Sequence, residues 1–242
     1  MLGLEAQRHQ LITELGAFGL VLPVEQIDVL LSFAAVMLEE NQVQNLTRIT
    51  EPAAVVTRHL VDSLALLQWY RPRPQNKILD LGAGGGFPGF PLALTLPESS
   101  VTLVDSERKK VDFLVRAAAN IGATNATALH LRAEEAGQDL ELRGKHDLVV
   151  ARSVANLPVL LEYTLPLVKV GGLFVAYKGE EVEDELAKAQ TALELLKGRV
   201  EAVHAYTLSS GETHKLIFIK KSGVTQKKYP RKPGIPKKRP LI

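Results

Sequence analysis

A glycine-rich segment is the part of the sequence best suited to hold a reactive ligand. It reads Asp80-Leu-Gly82-Ala-Gly84-Gly-Gly86-Phe-Pro-Gly89 and follows the strand-like run Lys77-Ile-Leu-Asp-Leu81. Glycines let the backbone approach a ligand closely because they have no Cβ atom. Asp105 ends the next apolar run, 23 residues beyond Gly82, and a carboxylate there can accept hydrogen bonds from both ribose hydroxyls of a nucleoside. Together these features predict a site for a nucleoside cofactor.

Two cofactors match this glycine spacing. The residues from Gly84 to Gly89 fit the G-x-G-x-x-G pattern of dinucleotide sites, whereas Asp80 and the glycines at 82, 84 and 86 fit the pattern of S-adenosylmethionine sites. Asp80 would repel a pyrophosphate but attract the cationic methionine end. Pro88 and Pro91 remove backbone N–H groups that would bind phosphate at a helix start. S-adenosylmethionine is therefore the favoured cofactor, and a tight turn without a ligand is the structural alternative.

Polar residues after the later strands are further candidates for this site. Ala133 and Glu134 follow the third strand, where an acidic residue can bind the adenine amine or simply begin a solvated helix. Arg152 follows the fourth strand, and a buried arginine at a strand end is seldom there for packing alone. Lys178 ends the fifth strand and either faces the same crevice or lies on the surface. We expect Arg152 to position the substrate or the cofactor.

His59, Asp62 and Ser63 lie on one helical stretch and invite a catalytic interpretation. Residues so close on one helix cannot form the geometry of a Ser-His-Asp relay, and the chain has no nucleophile elbow. Hydrogen bonding between this helix and the sheet is the favoured interpretation. No group of histidines and carboxylates has the spacing of metal ligands, so we expect no metal.

Missing residue types narrow the chemistry further. The chain has no cysteine, which excludes disulfides, thiolate metal sites and thiolate attack on a pyrimidine ring. After the fourth strand it has Ala151-Arg152-Ser153-Val154 in place of the Asp or Asn, two prolines and an aromatic residue that are typical of exocyclic-amine methylation. Ring nitrogens, hydroxyls and small molecules are the acceptors that are left.

The charge is divided unevenly along the chain. Residues 220–242 have nine basic and no acidic side chains, so the other 219 residues have 29 − 9 = 20 basic and 27 acidic ones. A strongly basic tail on an acidic body predicts a polyanionic partner, with a solubilising tail as the alternative. Cations bind phosphates, and an aromatic ring can stack on an unpaired base. The residues expected to bind RNA are Lys109, Lys110, Lys227, Lys228, Tyr229, Arg231, Lys232, Lys237, Lys238 and Arg239.

The order of apolar patterns predicts how the chain positions these residues. Residues 1–74 read as a helical region packed on the core, and residues 75–221 alternate strands and helices, as in a Rossmann-like α/β methyltransferase core with a parallel sheet. A β-hairpin around residues 209–211 closes this core. Residues 222–242 are rich in proline and lysine and are expected to be extended. Deleting residues 224–242 should then weaken RNA binding and leave cofactor affinity unchanged.

Bulk properties limit the location of the protein. No apolar run approaches the length of about 18 residues that spans a membrane. Residues 1–5 have neither a basic start nor a continuous apolar stretch, which is not typical of a signal peptide. We therefore expect a cytoplasmic protein with no membrane partner.

Short motifs along nearly the whole chain resemble the bacterial small-subunit (16S) ribosomal RNA guanine-N7 methyltransferases, also called the glucose-inhibited division protein B family. The motifs are Asn45-Leu-Thr47, His59-Leu-Val-Asp-Ser-Leu64, Asp80–Gly89, Val104-Asp-Ser106, Lys109-Lys110, Phe113-Leu114, Arg132-Ala-Glu134, Ala151-Arg-Ser-Val-Ala155, Lys178-Gly179 and Lys228-Tyr-Pro-Arg-Lys-Pro-Gly234. In this family the fourth-strand motif more often reads Arg-Ala than Arg152-Ser153. That departure keeps the arginine.

The resemblance implies a substrate and a set of site residues. The substrate would be one guanine of small-subunit ribosomal RNA, either free or in a pre-ribosomal particle, and the product cofactor would be S-adenosylhomocysteine. The implied cofactor site includes Gly82, Phe87, Ala133, Glu134 and Arg152, with Asp105 at the ribose. Guanine N7 has a free lone pair, so no general base is expected. A small-molecule methyltransferase and a non-enzymatic nucleotide- or RNA-binding module are the alternatives.

Overall fold

The computed structural model describes residues 4–242 and contains one mixed seven-stranded sheet in the order β3-β2-β1-β4-β5-β7-β6. β1 to β5 are parallel, β7 runs antiparallel to β5, and β6 runs antiparallel to β7. This arrangement confirms the predicted Rossmann-like α/β fold with its terminal hairpin. The strands are β1 (Lys77–Leu81), β2 (Ser100–Asp105), β3 (Ala126–His130), β4 (His146–Arg152), β5 (Val168–Lys178), β6 (Gly198–Thr207) and β7 (Thr213–Lys221).

Helices cover both faces of the sheet. The first ones are α1 (Leu4–Ala17), α2 (Val24–Gln44), α3 (Pro52–Val55), a π-helical turn (Val56–Val61), α4 (Asp62–Leu64) and a 3-10 turn (Ala65–Gln68). The later ones are α5 (Gly89–Thr95), α6 (Arg108–Ile121), α7 (Ala133–Ala136), α8 (Leu157–Thr164), α9 (Glu183–Lys188), α10 (Gln190–Leu196) and α11 (Ile235–Lys238). Residues 52–68 are helical throughout but change winding, which brings buried polar residues onto the sheet.

Alternation along the strands divides the interior into two hydrophobic clusters. Ile78 and Val150 pack with α1, α2, α5 and α6 on one face, whereas Leu79 and Val149 pack with α8 and α10 on the other. Successive strand residues point to opposite faces, so strands apolar at nearly every position are buried on both sides. The region before residue 75 shares its cluster with the sheet, from Leu11 onward.

The C-terminal segment differs from the expectation of an extended tail. Residues 225–241 fold back onto α7 and α8 and include the short helix α11, and Tyr229 and Pro236 are buried. The expectation was wrong because composition cannot show that buried polar groups elsewhere in the chain bind this segment. Glu162, which is fully buried on α8, accepts four hydrogen bonds from Arg231.

We expect the Gly89→Ala substitution to lower the free energy of unfolding by about 1–3 kcal/mol, the usual cost of overpacking. A Cβ atom at Gly89 would lie 2.4 Å from Leu103 Cδ2 and 2.6 Å from Asp80 Cβ. Gly16→Ala is the matched control because nothing lies within 4 Å of its Cβ position. Urea unfolding of both variants measures the difference, and equal stabilities would contradict this packing.

Candidate functional site

A crevice of about 550 Å³ opens at the carboxyl ends of β1, β2 and β4. Ligands of doubly wound sheets bind at this edge, and the volume lies in the range of about 300–1,000 Å³ that is typical of ligand sites. The glycine loop and the end of β2 form one wall, and the helical segment 52–68 forms the other. The lining includes His59, Asp62, Gly82, Gly84, Phe87, Asp105, Lys110, Arg152 and His214.

The three alternating glycines of the loop have different reasons to be glycine. All three have positive φ angles, +78° at Gly82, +56° at Gly84 and +101° at Gly86. A Cβ atom at Gly82 would lie within 3 Å of Val154, and one at Gly86 would lie within 3 Å of Phe33. Glycine at these two positions therefore lets the neighbouring side chains pack against the loop. At Gly84 the nearest heavy atom would be 3.9 Å away. Gly84 therefore presents open backbone to the crevice, as a closely bound cofactor requires.

Asp105 connects the glycine loop to the end of β2. Its Oδ2 accepts a hydrogen bond from the Gly84 N–H at 2.8 Å, and its Oδ1 accepts one from the Glu107 N–H at 2.9 Å. Each carboxylate oxygen has a second lone pair, and the residue lines the crevice. The geometry fits the expected ribose contact, because the carboxylate is already oriented before a ligand arrives.

Asp80 lies beneath the loop rather than on the crevice wall. It is fully buried, its Oδ2 accepts a hydrogen bond from the Gly89 N–H at 2.7 Å, and its Oδ1 has no partner. Burial raises the pKa of Asp80 to about 7, although the Gly89 N–H and the charge of Arg152 act in the opposite direction. A buried acceptor without a donor is the kind of group that a cationic ligand can stabilise.

Arg152 is held from several sides. Its guanidinium donates to Asp62 Oδ2 at 2.5 Å and to the Arg58 carbonyl oxygen at 3.1 Å, and lies 5.6 Å from the centre of the Phe87 ring. Its side chain is 15% exposed. A guanidinium has five N–H donors, so this anchoring leaves donors for a ligand. The structure thus places Arg152 in the crevice with a fixed orientation.

Asp62 lies at the crevice, a position that the sequence did not reveal. It is buried, and its Oδ1 accepts hydrogen bonds from the Tyr206 hydroxyl at 2.6 Å and from His214 Nδ1 at 2.8 Å. Burial alone would raise the pKa of Asp62, but the hydrogen bond from His214 and the charge of Arg152 lower it to about 2. The expected helix-to-sheet hydrogen bonding is confirmed, and it lies directly at the crevice.

His59 is poorly suited to act as a base. Burial and the nearby charge of Arg152 lower its pKa to about 3. Its ring stacks on Phe87 with centroids 4.5 Å apart, and its Nε2 lies 2.8 Å from Thr47 Oγ1. A general base works best when its pKa is near the working pH. His59 therefore positions Phe87 and Arg152.

Two predicted residues after β3 and β5 have partners outside the crevice. The Glu134 Oε1 accepts hydrogen bonds from the Gly234 N–H at 2.8 Å and from the Tyr163 hydroxyl at 3.3 Å. The carboxylate of Glu134 thus contacts the C-terminal segment, and the expected adenine contact stays a prediction. Lys178 pairs with Glu185 at 2.6 Å and does not line the crevice.

The expected RNA-binding residues separate into exposed and internal ones. Lys110 lines the crevice and pairs with Glu107 at 2.7 Å. Tyr229 is 5% exposed and cannot stack on a base, and Arg231 is bound to Glu162, so the structure corrects these two assignments. The exposed cations are Lys109, Lys227, Lys228, Lys232, Lys237, Lys238 and Arg239.

A wider groove of about 1,500 Å³ adjoins the crevice between α2 and residues 45–52. Leu46 and Thr47 line both cavities, so the groove and the crevice are neighbours. Arg48 is exposed on its wall. Among residues 4–242, no group of three or more His, Asp or Glu side chains has a metal-binding arrangement. In the same range, every helix is too short or too polar to cross a bilayer.

Comparisons with solved structures agree with this architecture. A methyltransferase from Aquifex aeolicus that depends on S-adenosylmethionine superposes with a TM-score of 0.53 at 16% identity, over 72% of this chain and 96% of that one. Precorrin-6y C5,15-methyltransferase from Geobacter metallireducens superposes with a TM-score of 0.50 at 20% identity, over 74% of this chain and 92% of that one. At these identities the likeness shows the fold.

Sequence comparison is more specific. A family model described as rRNA small subunit methyltransferase G matches residues 26–215. The ribosomal RNA small subunit methyltransferase G of Alkaliphilus metalliredigens is 42% identical over 89% of this chain and 91% of its own length. The protein of the same name from a Thermoanaerobacter species is 40% identical over 93% of this chain and 94% of its own. The chain therefore belongs to the rRNA small subunit methyltransferase G family.

Proposed function

We propose that this protein transfers a methyl group from S-adenosylmethionine to N7 of one guanine in small-subunit (16S) ribosomal RNA. The observation that carries the proposal is the crevice in which the open backbone of Gly84, the oriented Asp105 and the anchored Arg152 meet, in a chain of this family. We further propose a cytoplasmic location, where ribosomal RNA is the substrate, and a division into residues 1–74, 75–221 and 222–242.

The residues present fit the cofactor. Asp105 would hold the ribose hydroxyls, because its carboxylate is fixed by two backbone N–H groups and lines the crevice. Gly82 and Gly84 would lie against the methionine part, and the unpartnered oxygen of Asp80 would attract its cationic end. Ala133 and Glu134 would border the adenine. When bound, the cofactor supplies an electrophilic methyl group on a sulfonium.

The protein's own contribution to the reaction is positioning. Guanine N7 has a lone pair and no proton, so no side chain needs to act as a base, and the low pKa of His59 agrees with that. Arg152 would donate a hydrogen bond to guanine O6 or to the cofactor carboxylate from an orientation that Asp62 fixes. Orientation of the two reactants in a site that excludes water can contribute several kcal/mol to the rate.

RNA would reach the crevice across a cationic surface. Lys110 borders it, the neighbouring Lys109 is exposed, and the exposed cations of residues 227–239 add positive charge. Arg48 lies on the adjoining groove, which would hold nucleotides that flank the target base. Phosphate contacts of this kind position a substrate without reading its sequence. The partner is small-subunit ribosomal RNA, free or in a pre-ribosomal particle.

The direct test uses purified protein and labelled S-adenosylmethionine with three substrates: small-subunit RNA lacking the modification, the ribosomal particle and a pool of small molecules. We expect label at a single guanine, as 7-methylguanine. Label in small molecules alone would support the alternative of a small-molecule methyltransferase. Binding of S-adenosylmethionine without transfer to any of the three would support a non-enzymatic module.

We expect Arg152→Ala to lower the rate of methyl transfer at least about tenfold, or about 1.4 kcal/mol of transition-state free energy. Arg152→Lys is the matched variant, because it keeps a cation beside Asp62 but loses the planar donor fork. If Arg152 acts through its donors, the lysine variant unfolds like wild type in urea yet transfers methyl slowly. Near wild-type rates in both variants would remove Arg152 from the site.

Cofactor affinity should depend on pH through Asp80. Its carboxyl is neutral below its pKa of about 7 and ionised above it, and only the ionised form attracts the cationic end of the cofactor. Binding therefore releases a proton, and affinity for S-adenosylhomocysteine should increase by up to about tenfold from pH 6 to pH 8.

Two variants separate Asp80 from the other titratable groups. His214 also lines the crevice, and its hydrogen bond to Asp62 raises its pKa, whereas the pKa values of Asp62 and His59 are far below this range. Calorimetry at several pH values measures the affinity for S-adenosylhomocysteine. The affinity of Asp80→Asn should not change with pH, whereas the affinity of His214→Gln should change with pH as in wild type. If the affinity of Asp80→Asn still increased with pH, another titratable group would be responsible for the pH dependence.

A further inference from the structure

The C-terminal segment, residues 225–241, is bound mainly by the stretch that follows β3. Arg143 donates to the Tyr229 carbonyl oxygen at 2.7 Å and to the Thr225 and Gln226 carbonyl oxygens at 3.1 Å each. One guanidinium thus satisfies three backbone acceptors of the segment. It also donates to the Gly137 carbonyl oxygen at 2.5 Å, so the same side chain connects the segment to residues 133–143.

Gln138 and Gly137 add contacts from the same stretch. The Gln138 amide donates to the Pro230 carbonyl oxygen at 2.8 Å and to the Lys227 carbonyl oxygen at 3.1 Å. The Pro230 ring packs on Gly137 so closely that a Cβ atom there would lie 2.5 Å from Pro230 Cγ. These contacts use backbone and ring atoms, so they do not neutralise the lysines of the segment.

A buried ion pair fixes the middle of the segment to α8. Glu162 is 0% exposed, and the Arg231 guanidinium donates to both of its oxygens, at 2.9 Å from Nε and 2.6 Å from Nη2. The Arg231 backbone N–H donates to the same carboxylate at 2.8 Å. A buried carboxylate that loses its partner is strongly destabilising. Glu162 therefore requires the segment to be docked.

The last contact reaches Glu134, the residue expected to bind the adenine. Gly234, with φ +81°, donates its N–H to Glu134 Oε1 at 2.8 Å. Glu134 is the second residue of the four-residue helix α7, which follows β3, an edge strand whose residues are all at least partly exposed. Ala136 and Leu142 hold this stretch in the hydrophobic cluster with α8, and the segment adds its hydrogen bonds to the polar groups of a helix that is only one turn long.

We propose that residues 225–241 are a positioning element of the cofactor site, which holds residues 133–143 in place for the adenine. This inference rests on the proposed function and assigns the segment a second role beside RNA binding. Its inward side chain Arg231 anchors it, and its outward cations stay exposed for phosphates. Deletion of the segment would weaken cofactor binding as well as RNA binding, contrary to the expectation from sequence.

The test measures S-adenosylhomocysteine affinity by calorimetry without RNA, together with hydrogen exchange of residues 133–143. Arg231→Ala should weaken affinity at least about fivefold, the lower end of typical coupling between sites, and should raise exchange in that stretch. Arg231→Lys keeps the positive charge beside Glu162, so it should recover part of the cofactor affinity and part of the protection from exchange. Gln138→Ala removes two hydrogen bonds without leaving a buried charge, and should give a smaller loss in the same direction if Arg231→Ala does not fold.

The double variant Lys237→Ala with Lys238→Ala is the matched control, because both side chains are exposed in the same segment. It should bind S-adenosylhomocysteine like wild type and bind ribosomal RNA more weakly. Wild-type cofactor affinity in Arg231→Ala, with faster exchange that shows a released segment, would overturn the positioning role. A wild-type protein that binds no S-adenosylhomocysteine would instead overturn the proposed function itself.

Discussion

The buried carboxylate of Asp62 is the interaction on which the site depends. It receives hydrogen bonds from Arg152 on β4, Tyr206 on β6 and His214 on β7, and thereby fixes the N-terminal helical region to three strands. A buried charge is stable only when it is paired and fully hydrogen-bonded. The pairing that joins the helical region to the sheet therefore also sets the position of Arg152 in the crevice.

The chemistry of the proposed reaction explains why the polar groups of the crevice serve to hold and orient. A nucleophile with its own lone pair needs no proton removed, and the histidine nearest to Arg152 is kept neutral by burial and by that arginine. Oriented donors and acceptors can act at once because they need no rearrangement during the reaction. Asp105 is likewise oriented in advance on the cofactor side, because two backbone N–H groups fix its carboxylate.

The basic C-terminal segment would combine two proposed roles, RNA binding and positioning of the cofactor site, that net charge alone does not distinguish. Arg231 faces inward and neutralises Glu162, whereas Lys227, Lys237 and Lys238 face solvent. Because the inward contacts include Glu134, a polyanion bound to the outer face of the segment would also stabilise residues 133–143, which are proposed to border the adenine. Linkage is reciprocal, so cofactor and RNA would favour each other's binding through one docked segment.

The sequence by itself determined the Rossmann-like α/β class of the core with its parallel strands and terminal hairpin, the glycine loop and the carboxylate of Asp105 at a strand end. These depend on local patterns, because period-two alternation, glycine spacing and strand ends are properties of neighbouring residues. Only the tertiary structure decided the roles of Asp62, Glu134 and Arg231. The partners described for them lie 29 to 152 residues away along the chain, and no local pattern records which distant group a buried charge will meet.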